Sequence, residues 1–109
     1  MVEFIDNDND FKQLWERLLK NNTENKIEVV FIYFCADWCK PCQKLKSSAL
    51  EYMNGLLNDT TNCYVLDIDK CPYGRGWCNI NKIPSMVKFR NSKLMNNWSG
   101  EILERILNN

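Results

Sequence analysis

From Ile27 to Phe34 the chain reads IEVVFIYF, with apolar side chains at odd and even positions alike. A strand wet on one face would alternate. This run therefore predicts a central strand covered on both sides. Upstream, Phe11, Leu14, Trp15, Leu18 and Leu19 recur at helical spacing. They predict a helix over about residues 9–21, with Asp8 in the preceding acidic turn as its expected N-cap. Val2 to Ile5 reads as a short edge strand. Downstream, Leu45, Ala49, Tyr52, Met53, Leu56 and Leu57 give a second helix an apolar face. Pro41 sits near its start, where a missing N–H costs little. Cys63 to Ile68 predicts a third strand. Residues 69–81 predict an irregular, partly helical crossover, because Pro72, Gly74 and Gly76 weaken any helix there. Ser85–Arg90 and Leu94–Trp98 flank Asn91-Ser92-Lys93 as a hairpin. Gly100 ends the last strand, and Glu101 to Leu107 closes the chain as a helix. The order is βαβαβαββα, an α/β fold with a central mixed β-sheet flanked by helices. Residues 1–109 read as a single domain, without repeat or linker.

Composition narrows the function classes. Fourteen basic and fourteen acidic residues cancel, so no basic field points to nucleic acid. No apolar stretch is long enough to span a bilayer, so no membrane partner is expected. The acidic start, MVEFIDNDND, lacks a basic-then-apolar leader, which predicts a cytoplasmic protein. Histidine is absent. Ser-His and Cys-His nucleophilic sites need an imidazole and are excluded, as are His-containing zinc sites.

Six cysteines carry the remaining chemistry. Two of them lie in Trp38-Cys39-Lys40-Pro41-Cys42, where the central strand hands over to the second helix. The first turn of a helix has unpaired N–H groups and the positive end of the dipole. A thiol placed there is more readily ionised, and Lys40 adds a positive charge beside it. Two cysteines with two residues between them can also close a small disulfide ring. This Cys-x-x-Cys in a βαβ setting predicts thiolate attack on a disulfide through a mixed-disulfide intermediate. Such chemistry asks for no cofactor and no metal.

At these residues the chain resembles the thioredoxin family over nearly its whole length. Val30 to Cys39 resembles the family's strand running into Trp-Cys-x-x-Cys, with Lys40-Pro41 in place of the usual Gly-Pro. Asp67-Ile68-Asp69 resembles the end of its third strand. Ile83-Pro84-Ser85 resembles the segment carrying a cis-proline that faces the active site, and Trp98-Ser99-Gly100 its last glycine turn. The resemblance implies the thioredoxin fold and a protein-disulfide reductase, with Cys39 as the exposed nucleophile and Cys42 as the deeper resolving thiol. Trp38, Lys40, Pro41, Ile83, Pro84, Ser99 and Gly100 would line the substrate groove. Disulfide-containing proteins are the implied substrates and a thioredoxin reductase the implied electron donor. The alternative reading is a binding or regulatory subunit that keeps the fold with little catalysis.

Three positions depart from the family pattern. Tyr33 stands where members have a buried Asp, Val65 where many bacterial members pair it with Lys, and Ser47 where the helix often has a kinking proline. The resemblance also matches Cys71 and Cys78 to a pair that forms a second, regulatory disulfide in animal cytosolic members. Two half-buried free thiols are the plainer reading. Seven residues of ideal helix span about 10.5 Å, against the roughly 7 Å that a disulfide reaches between Cα atoms, so a bridge requires the crossover to open. Cys35 and Cys63 read as buried, inert thiols.

Overall fold

The computed structural model describes residues 1–108 and has the predicted order of elements. These are β1 (Glu3–Ile5), α1 (Asp8–Thr23), β2 (Val29–Cys35), α2 (Lys40–Leu56), β3 (Thr61–Asp67), α3 (Pro72–Trp77), β4 (Ser85–Arg90), β5 (Lys93–Ser99) and α4 (Gly100–Leu107). One mixed sheet has the strand order β1-β3-β2-β4-β5. β1 and β2 run parallel to β3, whereas β4 runs antiparallel to both β2 and β5. β2 is the central strand, and all but its first residue are buried. α1 packs with α3 and α2 with α4. The doubly covered strand expected from the apolar run is what the chain builds.

Several boundaries move, each for a local reason. Asn7, not Asp8, caps α1: its side chain accepts the Asp10 N–H at 2.8 Å. Asp8 is instead the first helical residue, and its Oδ1 accepts the Tyr73 N–H at 2.9 Å, capping α3 across the molecule. α1 runs past Asn21 to Thr23 and stops where Asn25 takes φ 58°, a left-handed conformation that Asn tolerates. β2 begins at Val29, leaving Ile27 exposed. β3 starts two residues earlier than expected, at Thr61. The hairpin loop shortens to Asn91-Ser92, with Asn91 at φ 50° and Lys93 already in β5. Gly100 opens α4 at φ 59°, which suits a residue without Cβ.

Glu28, the polar interruption of the apolar run, is buried and fully engaged. Its carboxylate accepts from Arg17 Nε (3.0 Å) and an Arg17 guanidinium nitrogen (2.6 Å), from Asn21 (3.0 Å) and from Asn62 (2.8 Å). Its backbone exchanges bonds with Asn91, whose Oδ1 accepts the Glu28 N–H at 2.9 Å and whose N–H donates to the Glu28 carbonyl at 2.8 Å. Glu28, just before β2, thus ties α1 and β3 through its carboxylate and the β4–β5 turn through its backbone. A charge buried in this way is tolerated because each oxygen is hydrogen-bonded.

Candidate active site

β2 ends at Cys35, and the chain turns over Ala36 to Trp38 before α2 begins. The Ala36 carbonyl holds that turn, accepting the Cys39 N–H at 3.1 Å and the Gln43 side-chain amide at 2.9 Å. Cys39 is the N-cap of α2, and its sulfur accepts the Cys42 N–H at 3.2 Å. A sulfur thus takes the place usually filled by a Ser or Asp oxygen. Cys39 and Cys42 are joined as a disulfide with Cα atoms 5.2 Å apart. In the dithiol form, the same N–H, the helix dipole and the adjacent exposed Lys40 would all favour a thiolate at Cys39.

The expected exposed nucleophile is less open than its sequence suggests. Cys39 is 5 % exposed and Cys42 is fully buried. The cause is local: bridged to Cys42, Cys39 has its sulfur turned onto the first turn of α2, while its neighbours project outward. Trp38 is 66 % exposed, and Lys40 and Pro41 are exposed as well. The indole is not loose, because its Nε1–H donates to Asp69 Oδ2 at 2.7 Å. In the sequence Asp69 is legible only as the end of a strand motif, not as the partner of Trp38. A carboxylate beyond the C-terminal end of a strand adjacent to β2 was the available signal.

Strand register brings the distant segments to one end of the sheet. Cys35 pairs with Asp67, Phe34 with Ser85, and Ser85 with Ser99. The turn before Cys39, the segment after β3, the start of β4 and the end of β5 therefore share that end. The Ile83–Pro84 peptide bond is cis, as the resemblance implied. Pro84 is buried, Ile83 and Ser99 are half-buried and Gly100 is exposed. Ser85 Oγ donates to the Lys82 carbonyl at 2.6 Å and fixes the bend before β4. Two clefts border this end. One, of about 310 Å³, is lined by Lys40, Pro41, Lys44, Leu45 and Glu104. The other, of about 330 Å³, lies among Asn79, Asn81, Lys82, Ser85, Asn97 and Ser99. A larger cleft of about 580 Å³ between α2 and the end of α4 holds no cysteine and belongs to neither thiol.

Tyr33 is completely buried beneath α2. Its hydroxyl donates to the Cys42 carbonyl at 2.8 Å. Burial pushes this phenol well above its ordinary value, so it stays protonated. Val65 and Met86, its partners across β3 and β4, are also buried and apolar.

The other four cysteines are free and buried. Burial pushes Cys35, Cys63 and Cys71 up to about 11 and Cys78 up to about 12. Cys63 Sγ donates to the Met53 carbonyl at 3.4 Å. Cys71 and Cys78 were expected to be half-buried; they are 0 % and 6 % exposed, one at each end of α3, and unbridged. The packing of α1 on α3 closes over them, with Phe11 against Tyr73 and Trp15 against Trp77. Trp98, expected to be a packing residue, stacks on Phe31 with ring centroids 6.4 Å apart. Among the described residues, no three Cys, Asp or Glu side chains gather where they could hold a metal ion.

Comparison with known proteins agrees with this arrangement. The sequence model of the thioredoxin family matches residues 8–109. A thioredoxin-like protein of Synechocystis is 26% identical over 83 residues, covering 76% of this chain and 75% of that protein. Thioredoxin Y2, chloroplastic, of Arabidopsis thaliana is 29% identical over 90 residues, covering 78% of this chain and 53% of that protein. Among solved structures, oxidised thioredoxin O2 of Arabidopsis thaliana superposes with a TM-score of 0.75 at 20% identity, covering 96% of this chain and 87% of that one. Oxidised thioredoxin of Plasmodium falciparum gives 0.72 at 18% identity, covering 98% and 95%. At such identities the structural likeness is one of fold.

Proposed function

The chain belongs to the thioredoxin family, and from that we propose that it reduces protein disulfides by dithiol exchange through Cys39 and Cys42. The family and the close cysteine pair support the broader role of a thiol–disulfide oxidoreductase. The observation that carries the reading is the Cys39–Cys42 bridge at the N-terminus of α2, with the Cys42 N–H aimed at Cys39 Sγ. In the reduced protein, the Cys39 thiolate attacks one sulfur of a substrate disulfide. The substrate S–S bond breaks, one substrate sulfur leaves as a thiolate, and the other is held on Cys39. Cys42 then loses its proton and attacks Cys39 Sγ. The second substrate thiolate leaves, and two electrons have passed to the substrate.

Residues 1–109 act as one domain in this proposal. Trp38, Lys40, Pro41, Ile83, Pro84, Ser99 and Gly100 form the groove, and the backbone beside the cis bond pairs with an extended substrate segment. Protein disulfides are the substrates, and a thioredoxin reductase returns the electrons. The proposed compartment is the cytoplasm, where thiols are kept reduced. No helix among the described residues is long and apolar enough to cross a membrane. Insulin reduction coupled to a thioredoxin reductase tests the reading. Cys39→Ser should abolish turnover, and Cys42→Ser should accumulate mixed disulfides on Cys39. Full turnover by Cys39→Ser would overturn it.

A second reading, a thioredoxin-fold binding subunit, is favoured by the low exposure of Cys39. It predicts undiminished partner binding by a Cys39→Ser/Cys42→Ser double variant that has lost all exchange. A reversible Cys71–Cys78 disulfide is a subsidiary proposal. It requires α3 to open, since the two thiols stand at its opposite ends. Mass spectrometry after mild oxidation should find the bridge, and its absence after complete oxidation of Cys39 and Cys42 would remove the idea.

A further inference from the structure

We propose that Tyr33 is a positioning residue for the second half of the exchange: its phenol holds the first turn of α2 so that the buried Cys42 sulfur stays seated to attack Cys39. The inference rests on the exchange reading above and concerns the resolving step alone.

The geometry begins with the sheet. Tyr33 lies two residues before the end of the central strand, and its side chain meets the underside of α2. Its hydroxyl reaches the Cys42 carbonyl at 2.8 Å. Cys42 is also tied to Cys39 by the contact of its N–H with Cys39 Sγ at 3.2 Å and by the disulfide itself. In the dithiol the disulfide is gone. In a mixed disulfide the Cys39 sulfur is bonded to the substrate and no longer to Cys42. The bond from Tyr33 depends on neither sulfur. It remains when the disulfide is broken, at the moment Cys42 has to be in place.

Among the described residues the phenol makes one hydrogen bond, to the Cys42 carbonyl, with the protonated Cys35 thiol as its titratable neighbour on the same strand. Val65 and Met86 flank it on the neighbouring strands, and neither can hydrogen-bond through its side chain to the ring hydroxyl as a strong partner. The buried carboxylates Glu28 and Asp67 are engaged elsewhere, Glu28 with Arg17, Asn21 and Asn62, and Asp67 with the Asp69 and Lys70 amides. The phenol is a donor here, not a proton acceptor. In the resolving step the Cys42 sulfur bonds to Cys39 Sγ, and the departing substrate sulfur takes the electron pair of the broken bond together with the Cys42 proton.

The test follows the two thiolate releases from the chromogenic aryl disulfide DTNB in rapid mixing with the fully reduced protein. The first release reports attack by Cys39, the second resolution by Cys42. Tyr33→Phe keeps the ring and removes the bond. It should leave the first release unchanged and slow the second about fivefold, the factor corresponding to one buried hydrogen bond. Leu18→Val, a buried change in α1, serves as a stability-matched control and should alter neither release. An unchanged second release in Tyr33→Phe overturns the inference and leaves the exchange reading intact. Loss of the first release from the unsubstituted protein overturns the exchange reading itself. Hydrogen exchange on the unsubstituted dithiol keeps the proposal testable if Tyr33→Phe does not fold. Amides Gln43 to Lys46 should be as protected as those of β2, and their exchange at helix-fraying rates would overturn the inference.

Discussion

The indole N–H of Trp38 donates to the carboxylate of Asp69 at 2.7 Å, bridging residues 31 apart in sequence. This bond fixes a two-thirds-exposed aromatic plate beside Cys39. An exposed ring held in one orientation presents apolar area to a partner without the entropy cost of ordering it.

Asp69→Ala frees that plate. For protein disulfides, kcat/KM should fall about two- to fivefold, the worth of one partly exposed hydrogen bond to a charged group. A small aliphatic disulfide, which cannot cover the indole, should be reduced at the original rate. Equal losses for both substrates would show that Asp69 acts on the thiols rather than on the surface.

Gly74 and Gly76 lie two residues apart in α3 with opposite tolerances. A Cβ on Gly74 would meet Leu66 Cδ1 at 2.8 Å, Cys71 Sγ at 2.9 Å and Phe11 Cδ1 at 3.1 Å, whereas one on Gly76 meets nothing within 4 Å. Gly74→Ala should lose about 1–3 kcal/mol in urea unfolding through overpacking. Gly76→Ala should be neutral or gain up to about 1 kcal/mol from helix propensity. A tolerated Gly74→Ala would mean that α3 shifts freely on α1.

Glu28 makes stability depend on acid. Burial alone would raise its carboxyl, but the bonds from Arg17, Asn62 and Asn21 outweigh burial and hold it below the usual carboxylate value. The unfolded chain then binds the proton more readily than the folded one. The stabilisation is complete above the unfolded value near ~4.3 and is lost as pH falls through the lower, folded value. Glu28→Gln should cost about 2 kcal/mol at pH near 7 by urea unfolding. The gap between the two proteins should narrow below pH ~4. A gap independent of pH would assign the loss to packing.

The four free cysteines predict the opposite slope in alkali. Burial raises Cys35, Cys63 and Cys71 to about 11 and Cys78 to about 12. Folded thiols hold their protons where unfolded ones release them. Their contribution is complete below the unfolded value of ~8.5 and is lost as pH rises toward the folded values. Under native reducing conditions at neutral pH, iodoacetamide should label Cys39 rapidly and these four only upon unfolding. Rapid native labelling of Cys71 or Cys78 would show that α3 opens readily, the motion a second disulfide requires.

What the sequence determined by itself was local. The apolar run of β2, the helical spacing of Phe11 to Leu18 and the Cys-Lys-Pro-Cys junction are properties of neighbouring residues, and each fixed its element and place in the order. Element ends moved where a single side chain decided them, as when Asn7 took the cap expected of Asp8. Tertiary structure decided which groups meet. Asp8 caps a helix 65 residues away, Asp69 holds Trp38, Glu28 gathers donors from α1 and β3, and Tyr33 reaches the Cys42 carbonyl. It also decided that Cys39 is nearly covered. The reason is geometric. Periodicity fixes the face a side chain takes on its own element, but its partner across the fold is set by strand register and helix packing, which depend on residues far along the chain.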